Sequence, residues 1–410
     1  MKEPNIELIP LRTAVARDRQ TTLDLLVRIT APQPEKLPER PALNLALVID
    51  RSGSMGGEKL EFARKAACYA VDQLLPGDRV AVTIFDNDVS TIVPAQLAKD
   101  RESIKRAIRQ VHAGGSTALH SGWVEGAMQV SQVLDPTRLN RVILLSDGLA
   151  NVGETNPDRI GSDVKGLSQR GISTTTMGIG DDYDESLLEA MARSGDGNFY
   201  HIQSPDQLPV FFAAELRGLL ATCGSKVSLG IEPGPDVVIS DILNDLDKTE
   251  YGRLKLSNLV MGSSVPIAVR LCIPPQAQER DLCSFRLAWD SPEDRKRHKV
   301  HAVLRLPVIG STELDLLPAD SGVEQQFALL LAARAKQEAI RAIDRNDMAA
   351  ASGFVIEACR MVSAMPASPE MLDERLALED LQHDLQSHKA GTARKKATFQ
   401  NFSRRRGRNT

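Results

Sequence analysis

The segment Asp50-Arg51-Ser52-Gly53-Ser54-Met55-Gly56 places three side-chain oxygen groups at i, i+2 and i+4 of one short loop. Gly53, Gly56 and Gly57 permit turns that a Cβ would forbid, so the three oxygens can converge on a point. Hard oxygen donors of this kind suit Mg²⁺, with Mn²⁺ or Ca²⁺ as alternatives, and suit zinc or copper poorly. Two further pieces belong with this loop. Gly114-Gly115-Ser116-Thr117-Ala118-Leu119 precedes a helical segment, and Val142-Ile143-Leu144-Leu145-Ser146-Asp147-Gly148 ends a later apolar run.

Other chemistries fit the same residues less well. An aspartyl-nucleophile phosphatase would carry an acid–base Asp two residues after Asp50, where Ser52 stands. Ser52 also occupies the place of the first Gly of a GxSxG elbow. The stretch 53–59 lacks the Walker spacing GxxxxGK[ST]. His112 and His120 flank Thr117, yet an unpaired His beside a helix start reads as a surface or capping residue. Trp123 and Met128 read as packing, and Asp86-Asn87-Asp88 as a solvated turn, since Asp and Asn hydrogen-bond locally there.

The elements that must hold these loops follow from the apolar patterning. The continuous run 43–49 reads as a strand buried on both faces. Helical segments at 59–75, 101–111, 121–134, 158–169 and 185–193 then alternate with strands at 80–85, 142–145, 172–179 and 199–202. A last helix opens at Ser204-Pro205-Asp206-Gln207, with Ser at N-cap and Gln at N3. Such alternation predicts a doubly wound, mostly parallel α/β sheet over 41–222. The metal loop sits at the carboxyl end of its first strand, where open α/β sheets bind ligands.

Both flanks differ from this unit. Strand-like stretches at 6–11 and 22–30 precede a Pro-rich connection at 32–41, and short strands at 226–231, 237–242, 265–273, 283–289 and 299–306 follow. Residues 1–40 have no sheet partner of their own, so they are expected to pair into the later β-domain, 223–318. The α/β unit then becomes an insertion in a β-sandwich. From Ser321-x-x-Glu324 an Ala- and Leu-rich stretch begins, with further helices at 348–362 and from Ser368-Pro369, so 319–388 reads as a small helical bundle.

Residues 389–410 hold eight Lys or Arg and no acid, and they read as a disordered basic tail. Removing those charges from the net of −4 leaves about −12 on the body. Arg394, Lys395, Lys396, Arg404, Arg405 and Arg406 would then form a partner-binding surface for an anionic molecule, and Phe399 and Phe402 lie between the clusters. Thr398, three residues after Lys395, stands in a context for a basophilic Ser/Thr kinase.

Across the 410 residues, 42% are apolar and 25% charged, the balance of a folded multidomain chain. No run approaches the 18 apolar residues of a membrane span. The start lacks the pattern of a secretory signal, so a cytoplasmic protein is expected. Five scattered cysteines lack zinc spacing and read as reduced core residues.

The three pieces around Asp50, Thr117 and Asp147 together resemble the von Willebrand factor A family and its metal-ion-dependent adhesion site, Asp-x-Ser-x-Ser, then Thr, then an Asp closing a strand. The resemblance covers about residues 43–222, and Gly195-Asp196-Gly197-Asn198-Phe199-Tyr200 is similar to the family's last strand. It implies a non-enzymatic, protein-binding scaffold of the kind found in longer bacterial, intracellular members. Ser52 and Ser54 would be direct ligands, Thr117 would engage when a partner is bound, and Asp50 and Asp147 would hold coordinated waters. An Asp or Glu of a partner would complete the ion's shell. The resemblance also implies AAA+ ATPases or Ser/Thr kinase or phosphatase systems as partners. The competing readings are a metal-dependent phosphate-ester hydrolase and a nucleic-acid binder acting through the basic tail.

Overall fold

Eight residues, Leu43–Asp50, form the strand β3, and every one of them is buried. A strand with both faces covered must lie inside a layered sheet, and β3 does. The computed structural model describes residues 3–405 except 34–41, 148–149, 181–182, 205–206, 208–209, 213–214, 216–221, 292, 295 and 388. Two compact units emerge, one of Met1–Leu37 with Thr222–Thr410 and one of Pro38–Ala221.

The strands, in chain order, are β1 (Asn5–Pro10), β2 (Thr21–Thr30), β3 (Leu43–Asp50), β4 (Arg79–Phe85), β5 (Val89–Leu97), β6 (Leu139–Ser146), β7 (Ile172–Ile179), β8 (Asp196–Ile202), β9 (Thr222–Pro233), β10 (Val238–Ile242), β11 (Ser264–Ile273), β12 (Asp281–Asp290) and β13 (Arg297–Arg305). The helices used below are α1 (Glu58–Asp72), α2 (Arg101–Arg109), α3 (Leu119–Gln132), α4 (Pro157–Gln169), α5 (Glu185–Ser194), α6 (Ser311–Leu316), α7 (Ser321–Asp344), α8 (Met348–Ser363), α9 (Pro369–Gln386) and α10 (Ala390–Arg405).

The unit around β3 is a six-stranded sheet in the order β5-β4-β3-β6-β7-β8. All neighbours are parallel except β4 and β5. The antiparallel edge strand β5 escapes the sequence patterning: it is half exposed and carries Pro94, which an edge tolerates. Strand order reverses between β3 and β6, so their carboxyl ends open a crevice. Helix α3 lies close against the sheet because two of its residues lack a Cβ. A methyl on Gly122 would come within 2.5 Å of the Phe85 ring, and one on Gly126 within 2.2 Å of Val48 Cγ2. The helix opened at Ser204 falls partly on Pro205 and Asp206, outside the described residues.

The other unit is a β-sandwich followed by helices. β2 pairs with β11 along ten antiparallel rungs, from Thr21↔Ile273 to Thr30↔Ser264, and the four-stranded sheet runs β1-β2-β11-β10. Facing it, β9, β12 and β13 form the second sheet, with the short strands Leu254–Lys255 and Leu259–Val260 against β9. Leu25, Val27 and Ile29 from one sheet share a core with Leu229, Phe285 and Leu287 from the other. The outer face of β2 and β11 is covered in turn, since Leu26 and Ala268 pack under Val323, Phe327 and Leu330 of α7. The α/β unit is thus inserted between strands of one sandwich.

The expectation of a disordered basic tail over 389–410 is overturned for residues 390–405, and 406–410 lie outside the described residues. Ala390–Arg405 form α10, whose Ala393 and Ala397 join the bundle core beside Leu378 and Leu381. The supposed partner-binding cations are largely used internally. Arg394 pairs with Asp344 at 2.7 Å, Lys396 with Asp380 at 2.8 Å and Asp384 at 2.6 Å, and Arg404 with Glu374 at 3.2 Å. Glu374 is also met by Lys336 at 2.7 Å, in a site where Lys336 is 2% exposed. Lys395 is buried, the Arg405 side chain is not among those described, and Arg406 lies outside the described residues. Thr398 fails as a kinase site because it is buried and its hydroxyl donates to the Arg394 carbonyl at 2.9 Å.

All five cysteines are free. Burial pushes the Cys223 thiol up to about 11 and the Cys283 thiol up to about 12, so both are poor nucleophiles. Among the described residues no helix is long and apolar enough to cross a membrane.

Two outcomes test this account. Truncation after residue 388 should lower stability by at least about 3 kcal/mol in a denaturant titration, since Phe402 leaves the core and Glu374 loses a partner; an unchanged midpoint would restore the tail reading. Gly126→Ala should cost about 1–3 kcal/mol by overpacking against Val48, read from the same titration.

Candidate metal centre

Asp50 ends β3 and Asp147 directly follows β6, so the two carboxylates stand on either side of the crevice. Both are buried, at 0% and 1% exposure. A hydrogen-bonded chain joins them. The Ser146 hydroxyl donates to one oxygen of Asp50 at 2.6 Å and the Ser52 amide to the other at 2.8 Å. Ser52 and Ser54 bring their hydroxyl oxygens to 3.2 Å, and Ser54 donates to Asp147 Oδ1 at 2.9 Å. Lys59, on the first turn of α1, donates to Asp147 Oδ2 at 2.6 Å.

Thr117 arrives by backbone pairing. The Gly53 amide donates to the Gly115 carbonyl at 2.9 Å, and the Gly114 amide to the Arg51 carbonyl at 2.8 Å. Gly115 adopts φ +48, a conformation that favours a residue without Cβ. The Thr117 amide is held by Asn151 Oδ1 at 2.8 Å, and the residue is buried. Gly148, the last residue of the third motif, lies outside the described residues.

The turn Asp86-Asn87-Asp88 proves to be a brace. Asp86 is 7% exposed, pairs with Arg51 at 3.1 Å and accepts the Asp88 amide at 3.0 Å. Asn87 accepts the Ser116 amide at 2.6 Å. These contacts tie the Thr117 loop to the Asp50 loop. Ser146, Lys59, Asp86, Asn87 and Asn151 were not singled out as site residues in the sequence reading, since each acts through a partner distant in the chain. His120 stays out of the centre; its Nε2 meets Asp163 at 3.0 Å and its ring stacks on Trp123.

Burial pushes the Asp50 carboxyl up to about 6, against the hydrogen bonds of Ser146 and Ser52; the charge of Asp147 adds to the rise. A carboxylate so placed favours positive charge nearby. The donor set fits a hard divalent ion. Ser54 reaches Asp147 at 2.9 Å and Ser52 at 3.2 Å, so these oxygens converge on one point of the crevice. Among the described residues no three His, Cys, Asp or Glu side chains group as a metal cluster, so any ion here would meet hydroxyls and few carboxylates.

Residues 44–214 match the family model for the von Willebrand factor type A domain. The chain is 31% identical over 202 residues to the uncharacterized protein YfbK of Escherichia coli, covering 49% of this chain and 35% of that one. It is 31% identical over 172 residues to the uncharacterized protein sll0103 of Synechocystis, covering 41% and 39%. Human inter-alpha-trypsin inhibitor heavy chain H3 is 26% identical over 262 residues, covering 62% and 27%. The chain thus spans at most 39% of the length of these relatives. Two solved structures share the fold across nearly the whole chain at 18% identity. A von Willebrand factor type A protein from Catenulispora acidiphila has a TM-score of 0.67, with 94% of this chain and 90% of that chain covered. The ArnB paralog VWA2 from Sulfolobus acidocaldarius has 0.62, with 98% of each covered. With this sheet order and this match, the segment 44–214 is similar to a von Willebrand factor type A domain.

Proposed function

We propose that the chain is a protein-binding scaffold whose crevice holds a divalent cation and captures an acidic side chain of a partner. The observation that carries this reading is the single hydrogen-bonded set Asp50, Ser52, Ser54 and Asp147, with the Thr117 loop bound to it. Ser52, Ser54 and Thr117 would offer neutral oxygens to the ion, and Asp50 and Asp147 its balancing charge. An ion held mainly by neutral oxygens keeps an uncompensated positive charge, which a carboxylate from another molecule answers. Mg²⁺ is the proposed ion, with Mn²⁺ or Ca²⁺ as alternatives.

Binding fits this geometry better than hydrolysis. Both oxygens of Asp50 accept hydrogen bonds, from Ser146 and from the Ser52 amide, so neither is poised to attack a phosphate ester. A hydrolase would also need a positioned base, and Asp147, the other carboxylate of the centre, is held by Ser54 and Lys59. The nucleic-acid reading through the basic C-terminal stretch is less favoured, because Arg394, Lys396 and Arg404 are spent on ion pairs within the bundle. The partner itself, an AAA+ ATPase or a kinase or phosphatase system in the cytoplasm, belongs to this proposal as the class to search.

Two measurements test it. In a pull-down with Mg²⁺ or EDTA, partners of the wild type should be lost on chelation and in a Ser52→Ala, Ser54→Ala double variant; identical partner sets in all samples would refute the reading. The second test uses the sign of the Asp50 shift. Its pKa is raised on folding, so its stabilising contribution is full at low pH and lost as pH rises through about 6. In EDTA near neutral pH, Asp50→Asn should be more stable than wild type by up to about 3 kcal/mol, with the gap closing below about pH 4. Mg²⁺ should raise the Tm of the wild type and leave Asp50→Asn unmoved; a pH-independent gap would remove the buried-charge argument.

A further inference from the structure

Lys59 places a positive charge inside the cation site itself. It stands at the second position of α1, whose N-terminus already carries a partial positive charge, so the helix disfavours an ammonium there. Its Nζ nonetheless reaches Asp147 Oδ2 at 2.6 Å, and Asp147 is fully buried while the lysine side chain is 25% exposed. The stem is held in that direction by a backbone wall. Gly180, at φ +74 just beyond β7, faces the Lys59 methylenes so closely that a methyl on it would sit 3.1 Å from Lys59 Cε. The other oxygen of Asp147 belongs to Ser54, one of the proposed ligands.

We propose that Lys59 is a built-in competitor of the metal, which makes cation uptake depend on the acidic ligand that the partner supplies. The inference rests on the proposed cation site and concerns its regulation. Asp50 and Asp147 together bring two negative charges, and Lys59 cancels one. A divalent ion then leaves the centre with a net positive charge, and the ion alone binds weakly. A carboxylate arriving from outside removes that excess, so metal and ligand each strengthen the other, a coupling that is reciprocal by thermodynamic necessity. Without Lys59 the metal-loaded centre is neutral, so the ion binds more tightly and the outside carboxylate gains less.

The test is calorimetric titration of the full chain with Mg²⁺ alone, then with Mg²⁺ in the presence of acetate as the carboxylate probe. Lys59→Met should bind Mg²⁺ at least about fivefold more tightly than wild type, the lower range of coupling between sites. Lys59→Arg should keep the weak wild-type affinity. Acetate should tighten Mg²⁺ binding in the wild type more than in Lys59→Met, which a merely structural lysine would not produce. Should Lys59→Met fail to fold, Lys59→Gln, which retains a donor to Asp147 without the charge, decides instead. Equal Mg²⁺ affinity in wild type and the neutral variants would overturn the inference while leaving the cation site standing. Folded wild type and variants that all take up no Mg²⁺, Mn²⁺ or Ca²⁺ would remove the cation site and this inference together.

Discussion

Two carboxylates buried at one crevice are the constraint around which the α/β unit is organised. Asp50 and Asp147 sit at the ends of adjacent parallel strands, at the point where strand order reverses between β3 and β6. Burying negative charge in that position is unfavourable unless donors or cations meet it. The structure meets it with Ser146, the Ser52 amide, the Ser54 hydroxyl and the Lys59 ammonium. Burial still pushes the Asp50 carboxyl up to about 6, against the hydrogen bonds that it accepts. A centre left short of positive charge is suited to recruiting it.

That electrostatic demand explains the care with which the loops are fixed. Arg51 is held on Asp86, Asn87 caps the Ser116 amide, and Asn151 caps the Thr117 amide. Beneath them α3 sits tightly on the sheet, because Gly122 and Gly126 let its backbone approach Phe85 and Val48. Loop residues can converge on a point only if the layer below does not shift. Close packing of helix on sheet supplies that rigidity.

The same rule, that a buried charge needs a partner, shapes the helical bundle. Glu374 lies inside it and receives both Lys336 and Arg404, while Lys396 bridges Asp380 and Asp384. These pairs join α10 to α7 and α9, and they turn a basic C-terminal stretch into a packed helix. A buried pair of this type contributes little net stability but strongly penalises any arrangement that separates it.

Local sequence determined the elements whose information is contained within themselves. The apolar run of β3, the alternation of strands with helices, and the Asp-x-Ser-x-Ser loop are legible because burial on both faces and oxygen convergence each need only neighbouring residues. Tertiary structure decided whatever depends on a distant partner. Residues 390–405 look like a solvated cationic tail when read alone, since their buried apolar residues are Ala393, Ala397 and Phe402 and their acids stand up to 50 positions away. Lys59 looks like an ordinary helix-surface lysine until Asp147, 88 residues on, is folded against it. Charge pairing acts through space and leaves no periodic trace along the chain, whereas backbone patterning does.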